Sequence, residues 1–111
     1  MRSDRERLFD ILEAVERIEE QATRGRAAFA DDELVQTAVV RWVEIIGEAT
    51  RGLTDELRRA HPQVPWRQMV AMRNVLIHGY FDIDVDLVWS VAQNDLPKLG
   101  AQIRAIVGEL S

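Results

Sequence analysis

One short run of the chain brings together an arginine, a histidine and a tyrosine at the end of an apolar segment. The run reads Arg73-Asn74-Val75-Leu76-Ile77-His78-Gly79-Tyr80. Arginine keeps its charge, histidine titrates near neutrality and tyrosine offers a phenol group. Together these groups can handle a phosphate diester without a metal ion. Because the chain has only two histidines, the position of one of them beside Arg73 and Tyr80 points to phosphate chemistry.

Length and composition predict a single globular domain over residues 1–111. The hydrophobic content of 47% with 30% charged residues is typical of a folded chain rather than a disordered one. There are no cysteines, which excludes disulfides, thiolate metal sites and a cysteine nucleophile. No apolar run approaches the roughly 20 residues that span a membrane, and the N-terminus lacks the apolar stretch of a signal peptide. We therefore expect a soluble cytoplasmic protein.

The charge distribution restricts how the chain could bind a polyanion. The formal net charge is -5, and phosphate neutralisation supplies most non-specific nucleic-acid affinity, so the whole surface does not favour such binding. Residues 51–73, however, carry five arginines against two acids. Arginine suits bidentate phosphate contacts, although heavy use of arginine equally reflects genomic base composition. Within this region Arg58, Arg59 and Arg67 are the candidates for local contacts with a polyanion.

Helical periodicity extends along almost the whole chain, and no segment shows convincing strand alternation. The pattern predicts an all-α fold, an antiparallel bundle of about four to five helices, with Phe29 as a core residue in a connection. The predicted helices cover about Asp4–Ala22, a stretch capped by Asp31 or Asp32 and ending near Gly52, a short stretch after Thr54, Trp66–His78, and a last stretch capped by Asp82 or Asp84 and kinked near Pro97. The predicted buried face of the second helix comprises Leu34, Val35, Ala38, Val39, Trp42, Ile45, Ile46 and Ala49.

The predicted helix Trp66–His78 has a polar stripe and an unusual arginine. At about 100° per residue, Arg67, Asn74 and His78 fall on one stripe, and Asn74 is placed one turn before His78 to orient its imidazole. Arg73 lies roughly 140° from His78, on a flank shared with apolar residues. A guanidinium there needs a partner, and Glu48 on the edge of the second helix is one candidate.

This geometry makes it hard for one straight helix to aim Arg73 and His78 at the same phosphate. A distortion at the Gly79 end of the helix could bring them together, and so could a second chain. A two-fold dimer that crosses at this helix would place two copies of each residue around one cleft. We favour the homodimer.

Each of these residues also has a structural interpretation when taken alone. A histidine at a helix end often only interacts with the helix dipole, an arginine is often part of an ion pair, and a tyrosine after glycine is often a packing residue. His61 is assigned no function. Two histidines seventeen residues apart, without carboxylates at ligand spacing, predict neither a metal site nor a cofactor.

The arrangement Arg73-x4-His78-x-Tyr80 resembles the signature of HEPN-domain proteins, specifically the HepT-type toxins of toxin–antitoxin pairs. The resemblance covers nearly the whole chain. It includes, in order, Leu8 to Ile18, Ile46-Gly47-Glu48-Ala49, Val64-Pro65-Trp66, Met72-Arg73-Asn74, His78-Gly79-Tyr80 and Val88-Trp89 through Leu96-Pro97.

The resemblance implies a helical bundle that dimerises through its motif helix and acts as a metal-independent endoribonuclease. Arg73 and His78 would be the catalytic residues, with Asn74, Tyr80 and Glu48 in support. His78 would help to deprotonate a ribose 2′-hydroxyl or protonate the 5′ leaving oxygen. Arg73 would stabilise charge on the pentacoordinate phosphorus. The products would carry a 2′,3′-cyclic phosphate or its hydrolysis product. Arg58, Arg59 and Arg67 would supply the local attraction for RNA.

The resemblance also implies a partner, a minimal nucleotidyltransferase (MNT) that acts as the antitoxin. In such pairs this enzyme can transfer AMP from ATP to the motif tyrosine, here Tyr80. Two other interpretations stay open. The chain could be a non-catalytic dimeric module that binds, or is modified by, the nucleotidyltransferase, or its motif residues could be purely structural. A pure scaffold has no physical need for both Arg73 and His78, which favours catalysis.

Overall fold

The structure is a computed structural model. It describes residues 2–78 and 82–110, and for His78 it describes the backbone alone. The predictions that concern Gly79 and Tyr80 therefore lie outside the described residues.

The described residues are helical along nearly their whole length and include one short pair of strands. The elements are α1 (Asp4–Ala22), α2 (Arg26–Asp31), α3 (Glu33–Gly52), α4 (Asp55–Ala60), α5 (Trp66–Leu76), β1 (Ile77–His78), β2 (Asp82–Ile83), α6 (Val85–Ser90), a π-helical turn (Val91–Asp95) and α7 (Leu96–Leu110). This arrangement confirms the predicted all-α bundle. In the described part of the chain, no helix is both long and apolar enough to cross a membrane.

Polar side chains cap four of the described helices, because the first N–H groups of a helix have no partner within it. In α1 the Ser3 hydroxyl accepts a hydrogen bond from the Glu6 N–H, and the Glu6 carboxylate accepts one from the Ser3 N–H, each at 3.1 Å. The hydrogen bond from the Ser3 backbone lowers the pKa of Glu6. Asp32, Thr54 and Asp84 cap α3, α4 and α6. The predicted Thr54 cap is confirmed. Of the two alternatives predicted for each of the other caps, Asp32 caps α3 and Asp84 caps α6.

The core lies where α1 packs against α3 and α7, and α3 packs in turn against α5. Its largest fully buried side chains are Leu8, Ile11, Val15, Ile18, Val39, Val43, Ile46, Met69, Leu76, Leu96, Ile103 and Ile106. The predicted burial of Leu34 is wrong, since this side chain is 83% exposed. Gln36 is buried instead, roughly 160° away around the helix. Its amide donates to the carbonyls of Phe29 and Ala30, at 2.9 and 3.0 Å, which joins α2 to α3.

Two features differ from the periodicity prediction near the bundle's connections. The segment around Phe29 forms the six-residue helix α2, which is too short to show a helical repeat, and Phe29 is buried as predicted. The irregularity predicted at Pro97 takes the form of the π-helical turn, in which the Leu96 N–H donates to the Val91 carbonyl. Pro97 has no N–H and cannot donate a hydrogen bond to the turn before it. The wider π-helical turn therefore loses no hydrogen bond from this residue. Helix α6, the π-helical turn and α7 follow one another without interruption.

The prediction that the motif helix extends to His78 is wrong, as is the prediction that no strand is present. Helix α5 ends at Leu76, and Ile77 is already extended, with φ -120° and ψ 128°. Ile77 pairs with Ile83 and His78 with Asp82 in an antiparallel ladder. The Leu76 carbonyl accepts a hydrogen bond from the Asp84 N–H at 2.8 Å. This contact with a later segment takes the place of the hydrogen bond that the carbonyl would accept inside a longer helix.

The backbones of α3 and α5 approach closely at Gly47. A Cβ atom placed on Gly47 would lie 3.4 Å from the carbonyl oxygens of both Met69 and Val70. There is thus room for glycine or a very small side chain only. This contact sets the separation of the two helices that carry Glu48 and Arg73.

We expect Gly47→Leu to destabilise the protein by about 1–3 kcal/mol, because the new side chain must push α5 away from α3. The measurement is the free energy of unfolding in urea. Gly108→Leu is the matched control, since a Cβ on Gly108 meets nothing within 4 Å. Equal unfolding midpoints for the two variants would contradict the proposed close approach.

Candidate active site

A cleft of about 260 Å³ lies between α3 and α5. We refer to it as the Arg73 cleft. Its walls are formed by Val43, Glu44, Gly47, Glu48, Arg51, Val70, Arg73 and Asn74. The close approach at Gly47 brings the polar residues of both helices to the same opening. Two guanidinium groups, two carboxylates and one amide therefore share one cleft.

Arg73 is held on the α3 side of this cleft by an ion pair. Its Nε donates to Oε1 of Glu44 at 3.0 Å. The other carboxylate oxygen of Glu44, Oε2, lies 3.5 Å from Nη1 of Arg41. The predicted partner Glu48 is thus replaced by Glu44, one helical turn earlier. The Arg73 side chain is also 45% exposed, so it does not have the buried environment that its apolar flank suggested.

Glu48, Arg51 and Asn74 line the cleft with exposed side chains. Within the described part of the chain, none of these three side chains forms a hydrogen bond or an ion pair with another described residue. A guanidinium with free N–H groups can donate to phosphate oxygens, and a free amide can both donate and accept. The cleft is therefore chemically suited to an anionic ligand with hydroxyl groups, with Glu48 as the unfavourable charge.

The sequence interpretation gave no role to Glu44 or Arg51. The sequence could have placed both residues with Glu48, because residues 44, 48 and 51 are at the spacing of one helical stripe on α3. The pattern does not show which stripe faces α5, and that choice depends on tertiary packing. Glu48, the predicted partner of Arg73, lines the same cleft as Arg73 although it does not form the ion pair.

His78 follows α5 in an extended conformation, two residues after the last helical residue. The helical relation predicted between Asn74 and His78 is therefore wrong. The backbone of His78 is fixed by its pairing with Asp82. Its side chain, like the whole of Tyr80, lies outside the described residues, so the roles of both remain predictions.

The arginines predicted to bind RNA divide into two groups. Arg58 and Arg67 line an open groove of about 810 Å³, which we call the Arg67 groove. Its walls are Arg58, Pro62, Gln63, Val64, Pro65, Trp66, Arg67, Gln68, Val70 and Ala71. Val70 belongs to both this groove and the Arg73 cleft, so the two are neighbours along α5. Arg59 is exposed but does not line the groove.

The Trp66 indole stabilises this neighbouring groove. Its Nε1 donates to the carbonyls of His61 and Arg58, at 2.9 and 3.2 Å, which fixes α4 against the start of α5. The Nε2 atom of His61 lies 3.6 Å from a carboxylate oxygen of Glu109. His61 therefore contributes to the contact between the end of α4 and the end of α7. Among residues 2–78 and 82–110, no group of three or more His, Asp or Glu side chains could hold a metal ion.

Comparison with known proteins gives consistent matches over most of the chain. The family model for ribonuclease HepT-like proteins matches residues 11–106. A protein of Thermococcus cleftensis named "Probable ribonuclease HepT" is 46% identical over 101 residues, which cover 88% of this chain and 90% of that protein. A candidate RNase of Methanocaldococcus jannaschii is 39% identical over 89% of this chain and 92% of its own length. A candidate RNase of Caldanaerobacter subterraneus is 38% identical over 71% and 70% of the two chains. No solved structure gives a significant match.

Proposed function

Because the chain belongs to the HepT-like ribonuclease family, we propose that it is a metal-independent endoribonuclease that acts as the toxin of a toxin–antitoxin pair. The family and the names of the relatives support ribonuclease activity. The observation that carries the proposal is the Arg73 cleft, where a partly exposed guanidinium lies five residues before the histidine of the motif. This arrangement is suited to a phosphate diester.

We assign the chemistry to the ribose 2′-hydroxyl of the substrate. His78 accepts the proton of this hydroxyl or donates one to the 5′ leaving oxygen, since an imidazole can act as base or as acid near neutral pH. The 2′ oxygen forms a bond to phosphorus as the bond to the 5′ oxygen breaks, which leaves a 2′,3′-cyclic phosphate. Arg73 stabilises the negative charge that increases on the phosphoryl oxygens. Asn74, beside Arg73 in the cleft, binds or orients the substrate.

The net charge of -5 requires that RNA be attracted locally. Arg51 in the cleft and Arg58 and Arg67 in the adjacent groove are the cations available for this attraction. Arg59 is near these residues in sequence and exposed. A homodimer formed through the motif helix would double these cations and place two copies of His78 around one substrate, so that one could act as base and the other as acid.

The antitoxin in this proposal is an MNT-type nucleotidyltransferase. It would form a bond between the phenol oxygen of Tyr80 and the α-phosphorus of ATP and release pyrophosphate. The attached AMP adds bulk and negative charge two residues from His78, where an RNA phosphate must bind. This part of the proposal rests on the motif resemblance.

We expect the purified dimer to cleave RNA in the presence of EDTA and to leave 2′,3′-cyclic phosphate ends. A matched oligonucleotide with 2′-deoxyribose at the cleavage position should stay intact there, because it lacks the attacking hydroxyl. Cleavage is measured by gel electrophoresis, and the ends by mass spectrometry. Cleavage of the deoxy substrate would rule out the 2′-hydroxyl mechanism. No cleavage of any RNA by the folded, unmodified dimer would instead favour the non-catalytic module that binds the nucleotidyltransferase.

A further inference from the structure

The carboxylate of Glu44 lies between two arginines and contacts each through a different oxygen. Oε1 accepts the hydrogen bond from Nε of Arg73 at 3.0 Å, and Oε2 lies 3.5 Å from Nη1 of Arg41. The contact with Arg73 joins α3 to the motif helix α5, and the contact with Arg41 lies within α3. Because each oxygen has its own cation, the two contacts together favour this orientation of the carboxylate.

The atom of Arg73 that Glu44 engages is important for what the guanidinium can still do. A guanidinium has five N–H groups, one on Nε and four on the two terminal nitrogens. The hydrogen bond to Glu44 uses Nε, and no other described residue accepts a hydrogen bond from the terminal nitrogens of Arg73. The edge formed by the two terminal nitrogens is therefore available for two parallel hydrogen bonds to a phosphate.

We propose that Glu44 is a positioning residue, which holds Arg73 by its Nε so that the terminal edge of the guanidinium faces the scissile phosphate. This inference rests on the proposed ribonuclease function. An unrestrained arginine has several rotatable bonds, and misplacement of a catalytic group by about 1 Å can cost a hundredfold in rate. Glu44 acts through Arg73 and has no contact of its own with the reacting atoms.

The opposite role for Glu44 is competition with RNA for Arg73. A competing carboxylate must be displaced before phosphate binds, so its removal would increase activity. The single contact at Nε argues against competition, because phosphate can bind the other edge while the ion pair stays intact. The two roles therefore predict opposite changes in the rate of cleavage.

Two variants of Glu44 remove the same negative charge but differ in whether they keep a hydrogen-bond acceptor for Arg73. Glu44→Ala removes both charge and acceptor, whereas Glu44→Gln removes the charge but keeps an oxygen that can accept from Nε of Arg73. We expect kcat to fall about tenfold or more in Glu44→Ala, with a clearly smaller loss in Glu44→Gln. In both variants KM should stay equal or decrease, since a negative charge has left the cleft.

The matched controls are Glu16→Ala and Glu16→Gln. Glu16 forms a similar exposed pair between helices, with Arg104 at 3.9 Å, and it does not line the cleft. These variants change the net charge equally and should keep the kcat of the unsubstituted protein. Exposed ion pairs contribute little to stability, so thermal unfolding should be nearly unchanged in all four variants.

The outcomes separate this inference from the proposed function. The positioning role is supported if the unsubstituted protein cleaves RNA, Glu44→Gln has a reduced kcat, and Glu44→Ala has a still lower kcat. If both Glu44 variants keep full kcat, lose it equally or become faster, the positioning role is wrong although the protein is a ribonuclease. If the unsubstituted protein does not cleave RNA, the proposed function itself fails.

Discussion

His78→Ala is expected to reduce the kcat of RNA cleavage by about a hundredfold to ten-thousandfold, because the variant lacks the group proposed to move protons at the 2′ and 5′ oxygens. Folding should be retained. The pairing of His78 with Asp82 in the short ladder uses the backbone, and alanine keeps the backbone N–H and carbonyl. The measurement is the single-turnover rate of cleavage in EDTA, next to a thermal unfolding curve and a test of dimerisation.

The other histidine supplies the control for this prediction. His61→Ala removes an imidazole at the end of α4, where the side chain lies near Glu109 and does not line the Arg73 cleft. Its carbonyl, which accepts from Trp66, is kept. His61→Ala should therefore retain the cleavage rate. A folded His78→Ala variant that cleaves as fast as the unsubstituted protein would remove His78 from the mechanism.

Arg73→Lys is expected to reduce kcat by about a hundredfold or more, although it keeps the positive charge. Lysine presents one ammonium and cannot donate to Glu44 through one edge while it binds a phosphate through another. Arg73→Ala should reduce kcat at least as much. The comparison is made on single-turnover rates at saturating RNA, so that a change in binding does not affect the result.

Loss of the ion pair between Arg73 and Glu44 should have little effect on folding, so a lower cleavage rate in Arg73→Lys reports on catalysis. The side chains of Arg73 and Glu44 are 45% and 32% exposed, so their separation leaves no charge buried, and the free energy of unfolding should change by less than about 1 kcal/mol. Arg104→Lys, which alters the similar pair with Glu16, serves as the control. If Arg73→Lys cleaves at the unsubstituted rate, Arg73 acts as a simple charge and bidentate contact is not required.

The helix starts could be predicted from the sequence because their causes are local. The side chains of Asp32, Thr54 and Asp84 each accept a hydrogen bond from a backbone N–H in the first turn of the helix that follows. The apolar repeat of α1 likewise predicts its buried face, since Leu8, Ile11 and their successors recur at helical spacing. Such features depend on a few neighbouring residues.

The end of the motif helix could not be predicted in the same way. The apolar pattern continues through Ile77, and nothing local forbids a helical His78. Helix α5 ends earlier because the Asp84 N–H donates to the Leu76 carbonyl and because residues 77 and 78 pair with residues 82 and 83. These are contacts with a later segment, which a local repeat does not contain.

The partner of Arg73 was misplaced by one helical turn for a related reason. Glu44 and Glu48 lie on the same stripe of α3, and the sequence alone favours neither. The choice is made by the position of α5 along α3, which the close contact at Gly47 fixes. Residue types therefore predicted the composition of the cleft, whereas packing between two helices determined which groups meet.

The π-helical turn at Val91–Asp95 has a consequence for tolerance to insertions and deletions. A π turn contains about one residue more than the α turn it replaces, and each residue rotates a helix by about 100°. The apolar side chains before the turn, such as Leu87, and those after it, such as Leu99 and Ile103, are kept in phase with the core because the turn accommodates one surplus residue. Loss of a single residue here would convert the π turn into an α turn and leave α7 in phase with the core, whereas a further insertion would rotate the whole of α7 against α1.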